Sequence, residues 1–224
     1  MTGDLRLVVF DVDGTLIDSQ NHILAAMEQA FAAAAATLPG REAVLSIVGL
    51  SLPAAVERLV PHLAEDTRAE IVAAYKQSFG QLRTRSLSPL FPGATEALRA
   101  LHARPEVLLG VATGKSRRGL AHVLDAHRLE GHFATIQVAD DHPSKPHPSM
   151  LRAALAETGT EAARAVMVGD TTFDIEMGRA AGVATVGVAW GYHPAGDLAA
   201  AGADRVIGRF ADLLPVLDEL WRTA

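Results

Sequence analysis

Four short polar stretches hold the chemistry this sequence offers, and each directly follows an apolar run. Asp11 and Asp13 come at the end of Leu5-Arg-Leu-Val-Val-Phe10, in Asp11-Val12-Asp13-Gly14-Thr15. Residues two apart on an extended chain point to one side, and carboxylates so placed repel unless a proton or a cation is shared. Gly14 lets the backbone turn sharply just beyond them. Thr113-Gly114-Lys115-Ser116 follows Leu108-Leu-Gly-Val-Ala112. A hydroxyl and exposed amides ahead of a helix suit an anion such as phosphate, because helix N-termini attract negative charge. A nucleotide-binding P-loop does not fit, since three residues separate Gly110 from Gly114, one fewer than that motif needs. Lys145 lies among Pro143, Pro146 and Pro148, whose rings fix the backbone around it and set it up to hold a phosphate. Asp170 and Asp174, in Gly169-Asp170-Thr-Thr-Phe-Asp174, converge if a helix starts between them. Singly, each of these is an ordinary turn former, cap or solvated charge; jointly they are not.

The elements that must position them follow from the hydrophobic pattern. Near-continuous apolar runs at 5–10, 107–112, 134–138, 165–168 and 184–188 predict buried strands. Helical segments are predicted at 93–103, 116–127, 148–158, 172–181 and 210–221. Strands alternating with helices imply a doubly wound, Rossmann-like parallel α/β sheet, covered on both faces, and ligands bind such sheets beyond the carboxyl ends of the strands. The stretch 17–85 breaks the alternation. It reads as helices at 23–38, 45–48, 53–60 and 66–83, with Asp66 a candidate N-cap. An all-helical insert of roughly 70 residues predicts a second, smaller domain, and Ser86-Leu-Ser-Pro89-Leu-Phe-Pro92-Gly93 reads as the return linker.

Asp11-Val-Asp13-Gly-Thr, the strand-final Thr113, Ser144-Lys145-Pro-His-Pro and Gly169-Asp170-Thr-Thr-Phe-Asp174 together resemble the four signatures of the haloacid dehalogenase-like hydrolases. The resemblance covers essentially the whole chain. It implies a sheet core of residues 1–16 and 87–224 and an inserted α-helical cap of residues 17–86. It further implies a phosphatase of small phosphorylated metabolites, with Asp11 as nucleophile and Asp13 as general acid and base. Thr113, Gly114 and Lys145 would hold the phosphoryl oxygens. Mg²⁺, which wants hard oxygen ligands, would be held by Asp11, Asp170 and the main-chain carbonyl of Asp13, with Asp174 a ligand or its neighbour. The stretch 169–194 further looks like bacterial phosphoglycolate phosphatases. Sugar phosphomutases share the core residues and stay open, as does a non-catalytic phosphate-binding module. Dehalogenases usually lack an acid at the Asp13 position, and phosphonate hydrolases need a cap lysine, for which Lys76 is read as poorly placed. Ser19, Gln20, Ser51 and Arg85 are candidates for substrate choice.

Composition narrows the partners. Apolar residues make up 49% and charged residues 21%, with a formal net charge of −6 and no cysteine. The acidic balance disfavours nucleic acid and anionic membranes. Absence of cysteine excludes disulfides and thiolate sites and permits a reducing cytoplasm, which is the expected location. No signal peptide is visible, and the longest apolar stretch, 180–191, is too short to span a membrane. The histidines at 122 and 127, and at 142 and 147, lack the i, i+4 spacing of a helical metal pair. Locally, four acids oppose Lys145, so a phosphate ester would need a cation beside it.

Overall fold

A computed structural model describes residues 5–223. Strand β1, Arg6–Phe10, is central in a six-stranded sheet ordered β3-β2-β1-β4-β5-β6. Its neighbours are β2, Val107–Thr113, and β4, Ala165–Gly169. β3 is Thr135–Val138, β5 Ala184–Val188 and β6 Arg205–Ile207, and every pairing is parallel. The sheet's composition has a simple cause. Val8 and Phe10 face one apolar cluster while Leu7 and Val9 face another, so alternation cannot show and the strand must be apolar throughout.

Helices α5, Ala94–His102, α6, Arg117–Ala126, and α10, Leu213–Thr223, cover the first face through Leu98, Leu101, Leu120 and Leu217. On the second, α7, Ser149–Thr158, and α8, Thr172–Ala181, bury Met150, Leu151 and Met177. The chain runs outward from β1 to β2 and β3, then returns to β4 on the far side of β1. The crevice where the order reverses lies between β1 and β4, at their carboxyl ends.

Residues between β1 and α5 form α1, Gln20–Ala33, α2, Arg41–Leu45, α3, Leu52–Leu59, and α4, Glu65–Arg85. These surround their own apolar cluster, including Met27, Phe31, Val44, Val56 and Ile71. Two connections tie this helical layer to the sheet, and they run side by side. Asp18 N donates to Pro89 O and Phe91 N to Leu16 O, both at 2.9 Å.

Several expectations are corrected. The alanine run is expected to stay helical to residue 38, yet α1 ends at Ala33 and Ala35 turns to φ 49°; Ala34, Ala36 and Leu38 pack against the helical layer's cluster from outside the helix, so tertiary packing overrides propensity. Asp66 is not an N-cap. Ala64 precedes α4, no side chain caps it, and Asp66 sits in the first turn, where its charge suits the helix dipole. The expected helix at 45–48 is instead α2 followed by turns. Two elements were not foreseen, the three-residue β6 and α9, Ala195–Ala200. Both are short: β6 is set by pairing with β5 at the sheet edge, and α9 by burying Leu198 against β5, so tertiary contacts decide them more than local pattern does. Among the described residues, no helix is long and apolar enough to cross a membrane.

Candidate active site

The carboxyl ends of β1, β2 and β4 bring the anticipated residues together. Asp11 directly follows β1 and is buried, and its amide donates to Val168 O of β4 at 2.9 Å. Lys145 reaches it from the proline-rich turn after β3. Its Nζ donates to Asp11 Oδ1 at 2.8 Å and to Asp174 Oδ1 at 2.7 Å, with no exposed side-chain surface. Asp11 Oδ2 is buried and has no hydrogen-bond partner among the described residues. Such an orphaned oxygen is costly unless a ligand completes it.

Asp170 follows β4. Its Oδ1 accepts from the Thr15 hydroxyl at 2.8 Å and its Oδ2 from the Tyr192 amide at 2.9 Å. The backbone around it is tight. A Cβ on Gly14, at φ 87°, would lie 2.2 Å from Asp170 Oδ2, and one on Gly191 would lie 2.1 Å from Asp170 Cβ. Asp174 opens α8 in a capping box with Thr171: its Oδ2 accepts from the Thr171 amide and hydroxyl. Ligand oxygens of Asp11, Asp170 and Asp174 lie within 4.8 Å of one another, all three residues buried.

That crowding sets the electrostatics. Burial first, then the charge of Asp174, pushes the Asp11 carboxyl up to about 7, while Lys145 opposes the shift. Burial, Asp11 and Asp174 likewise raise Asp170 well above the usual carboxylate range. For Lys145, burial works to lower its pKa, but the charges of Asp11 and Asp174 outweigh it and hold the ammonium above its ordinary value. Three hard, mutually repelling oxygen donors around an unfilled carboxylate oxygen fit a divalent cation such as Mg²⁺.

Asp13 is oriented differently. Its carboxylate does not belong to the three-residue cluster; it accepts from Lys115 Nζ at 2.7 Å on both oxygens and from the Ser19 hydroxyl. Thr113, at the end of β2, is buried, and its Oγ1 accepts from the Lys115 amide at 3.2 Å. Asp11, Asp13, Thr113 and Gly114 all line one cleft of about 390 Å³ between the sheet edge and the helical layer. Gly114 touches that layer: a Cβ there would lie 2.5 Å from Leu50 O and 2.6 Å from Gly49 O.

A family model described as haloacid dehalogenase-like hydrolase matches residues 8–188. The chain belongs to that family. It is 35% identical over 214 residues to "Probable phosphatase IndB" of Dickeya dadantii, covering 93% of this chain and 91% of that one. With a phosphoglycolate phosphatase of Yersinia pestis it shares 31% over 217 residues, covering 95% and 93%. The solved structure of a hydrolase from Pseudomonas syringae superimposes with a TM-score of 0.85 at 26% identity, covering 96% and 98%.

The partners that several residues take in this haloacid dehalogenase-like site are not legible in the sequence. Lys115 was considered only within a P-loop pattern, yet it is the partner of Asp13. Thr15 and Tyr192 both hold Asp170, and the Tyr192 hydroxyl also lies 3.0 Å from Ser19 Oγ. Lys76, read as poorly placed, does line the cleft. Of the candidates for substrate choice, Ser19 is buried against Asp13, and the Ser51 amide donates to Ser144 Oγ at 2.9 Å. Gln20 begins α1 away from the cleft lining, and the Arg85 side chain lies outside the described residues. Histidines 127, 142 and 147 make hydrogen bonds to Ser88 O, to Ser149 and Gln137, and to the Ser149 amide respectively.

Proposed function

We propose that this hydrolase is a Mg²⁺-dependent phosphatase of small phosphate monoesters, acting through an aspartyl-phosphate on Asp11. The observation that carries the reading is the buried, unpartnered Oδ2 of Asp11 beside Lys145 and two further carboxylates. An oxygen of Asp11 attacks phosphorus and the ester P–O bond breaks. Asp13 delivers a proton to the leaving oxygen, then takes one from the water that cleaves the phosphoryl-aspartate bond. Phosphoryl transfer is governed by positioning and charge neutralisation. Thr113, the Gly114 amide and Lys145 are therefore assigned to the phosphoryl oxygens.

Asp11, Asp170 and the Asp13 main-chain carbonyl would hold Mg²⁺, whose charge would offset that of the phosphoryl group. Asp174 accepts from Lys145 and Thr171 and is assigned to the same cluster, as a ligand or as the group that orients Lys145 beside it. We assign residues 17–86 to a cap over a core of 1–16 and 87–224. A small phosphorylated metabolite is the substrate, and the names of the relatives make phosphoglycolate the first to assay. A cytoplasmic setting fits the cysteine-free chain.

Release of phosphate from a chromogenic aryl phosphate with Mg²⁺, lost with a chelator and lost in Asp11→Asn, tests the reading. No release from any monoester, or full activity in Asp11→Asn, would sink it.

A further inference from the structure

The cleft is far larger than a phosphoryl group requires. Its volume, about 390 Å³, lies in the range that holds drug-sized ligands, and a two-carbon acid phosphate would leave most of it to water. The wall opposite the sheet edge is mostly apolar, with Ile23, Met27, Leu52, Tyr75 and Phe79 along it and Lys76 as its one charged member before Arg83. Tyr75 and Phe79 stack, with ring centroids 5.5 Å apart and planes 21° from parallel. Lys115 Nζ, already bonded to Asp13, lies 5.1 Å from the Phe79 ring centre. The aromatic pair thus begins one side chain away from the reacting edge.

Beyond it the wall changes character. Arg83 lies one turn further along α4, about 6 Å of helical rise past Phe79. Its Nη1 is 3.5 Å from the main-chain oxygen of Arg118, in the first turn of α6. Both arginines line the cleft. Among the described residues neither forms an ion pair with a carboxylate. Burial and the Arg118 charge lower the Arg83 guanidinium from its ordinary value. Arg83, half-buried, and Arg118, exposed, thus put two positive charges at this end of the cleft, and an anion seated there would be attracted by both.

We propose that the cleft selects phosphate monoesters bearing a second anionic group on a flat apolar body, with Tyr75 and Phe79 packing the body and Arg83 with Arg118 receiving the second charge. This inference rests on the phosphatase reading and names its substrate class. Phosphoglycolate carries the second charge, but its single-carbon spacer is too short to occupy both ends of the cleft.

The test compares kcat/KM for phenyl phosphate, para-carboxyphenyl phosphate and phosphoglycolate in the presence of Mg²⁺, in wild type and in Arg83→Gln/Arg118→Gln. The carboxylated aryl ester should exceed phenyl phosphate by about tenfold, the factor of one charge-assisted hydrogen bond, and should exceed phosphoglycolate too. That aryl ratio should collapse in the double variant, a comparison that cancels the difference between leaving groups. Equal constants for the two aryl esters, a ratio that survives in the variant, or phosphoglycolate outrunning both would overturn the proposal while leaving a phosphatase standing. Should no ester be hydrolysed, the phosphatase reading falls and calorimetry decides the remainder. Tighter binding of para-carboxyphenylphosphonate than of phenylphosphonate would uphold the anion site, and equal binding would overturn it.

Discussion

Lys115 grips Asp13 by both carboxylate oxygens at 2.7 Å, across 102 positions of chain. The pair joins the turn after β1 to the turn after β2, and the Ser19 hydroxyl adds a bond to Asp13 from the start of the helical layer. A general acid and base must be held in one rotamer to serve both halves of a reaction. Lys115→Met is therefore expected to lower kcat on an aryl phosphate about tenfold, with partial recovery in Lys115→Arg. An unchanged kcat in Lys115→Met would mean that Ser19 alone orients Asp13.

Lys145 and Asp170 should respond to substitution with opposite signs. Removing the ammonium in Lys145→Met leaves Asp11 and Asp174 buried without their counter-charge. Breaking such a pair costs about 3–5 kcal/mol, so the metal-free variant should unfold at much lower denaturant. Asp170→Asn instead removes a repelled charge and keeps both contacts, since an amide oxygen can accept from Tyr192 and an amide nitrogen can donate to Thr15. Its metal-free melting temperature should rise by about 2 °C or more, and Mg²⁺ should no longer add to it. A lower melting temperature for Asp170→Asn would contradict this account of the cluster.

The raised Asp11 carboxyl has a definite pH signature. Burial moves it from 3.8 to about 7, so the folded protein binds this proton more readily than the unfolded chain does. Its contribution to stability is complete below about pH 3.8 and is lost as pH rises through about 7, and the raised Asp170 acts in the same direction. Chemical denaturation without metal should therefore show wild type falling behind Asp11→Asn progressively across that window. Added Mg²⁺ should restore wild type at neutral pH by mass action. Parallel stability curves for the two proteins would refute the assignment.

Gly114 allows the helical layer to close on the sheet edge. A methyl group there would press on Leu50 O and Gly49 O, main-chain atoms that cannot step aside as a side chain would. Gly114→Ala is expected to cut kcat/KM about tenfold by displacing that loop. The sheet's own packing is not involved, so the melting temperature should change by no more than about 2 °C. Wild-type kinetics in this variant would show that the loop tolerates the shift.

Much of this could be read along the chain. Leu7 to Phe10 and Val166 to Val168 are apolar on both faces because each lies between two helical layers, and that burial leaves a pattern any local reading detects. The acidic turns after β1 and β4 are legible for the same reason, since each is a polar break at the end of a buried strand. α9 and β6 leave no such trace, being short and placed by tertiary contact, β6 by pairing with β5 and α9 by Leu198 packing on it. Lys115 was also hidden, because a lysine in a turn looks solvated until its partner is known.

The sequence by itself determined which residues could do chemistry, their order, and the strand ends that present them. Local hydrophobicity is enough for that, because burial of a strand is written in the residues of that strand. Only the tertiary structure decided that Lys145 takes one oxygen of Asp11 and leaves the other without a partner among the described residues. The same holds for Lys115, which turns Asp13 away from the carboxylate cluster, and for α4, which sets an aromatic pair and Arg83 along the opposite wall. These are distances between atoms far apart in the chain, fixed by how sheet and helices pack, and no stretch of sequence contains them.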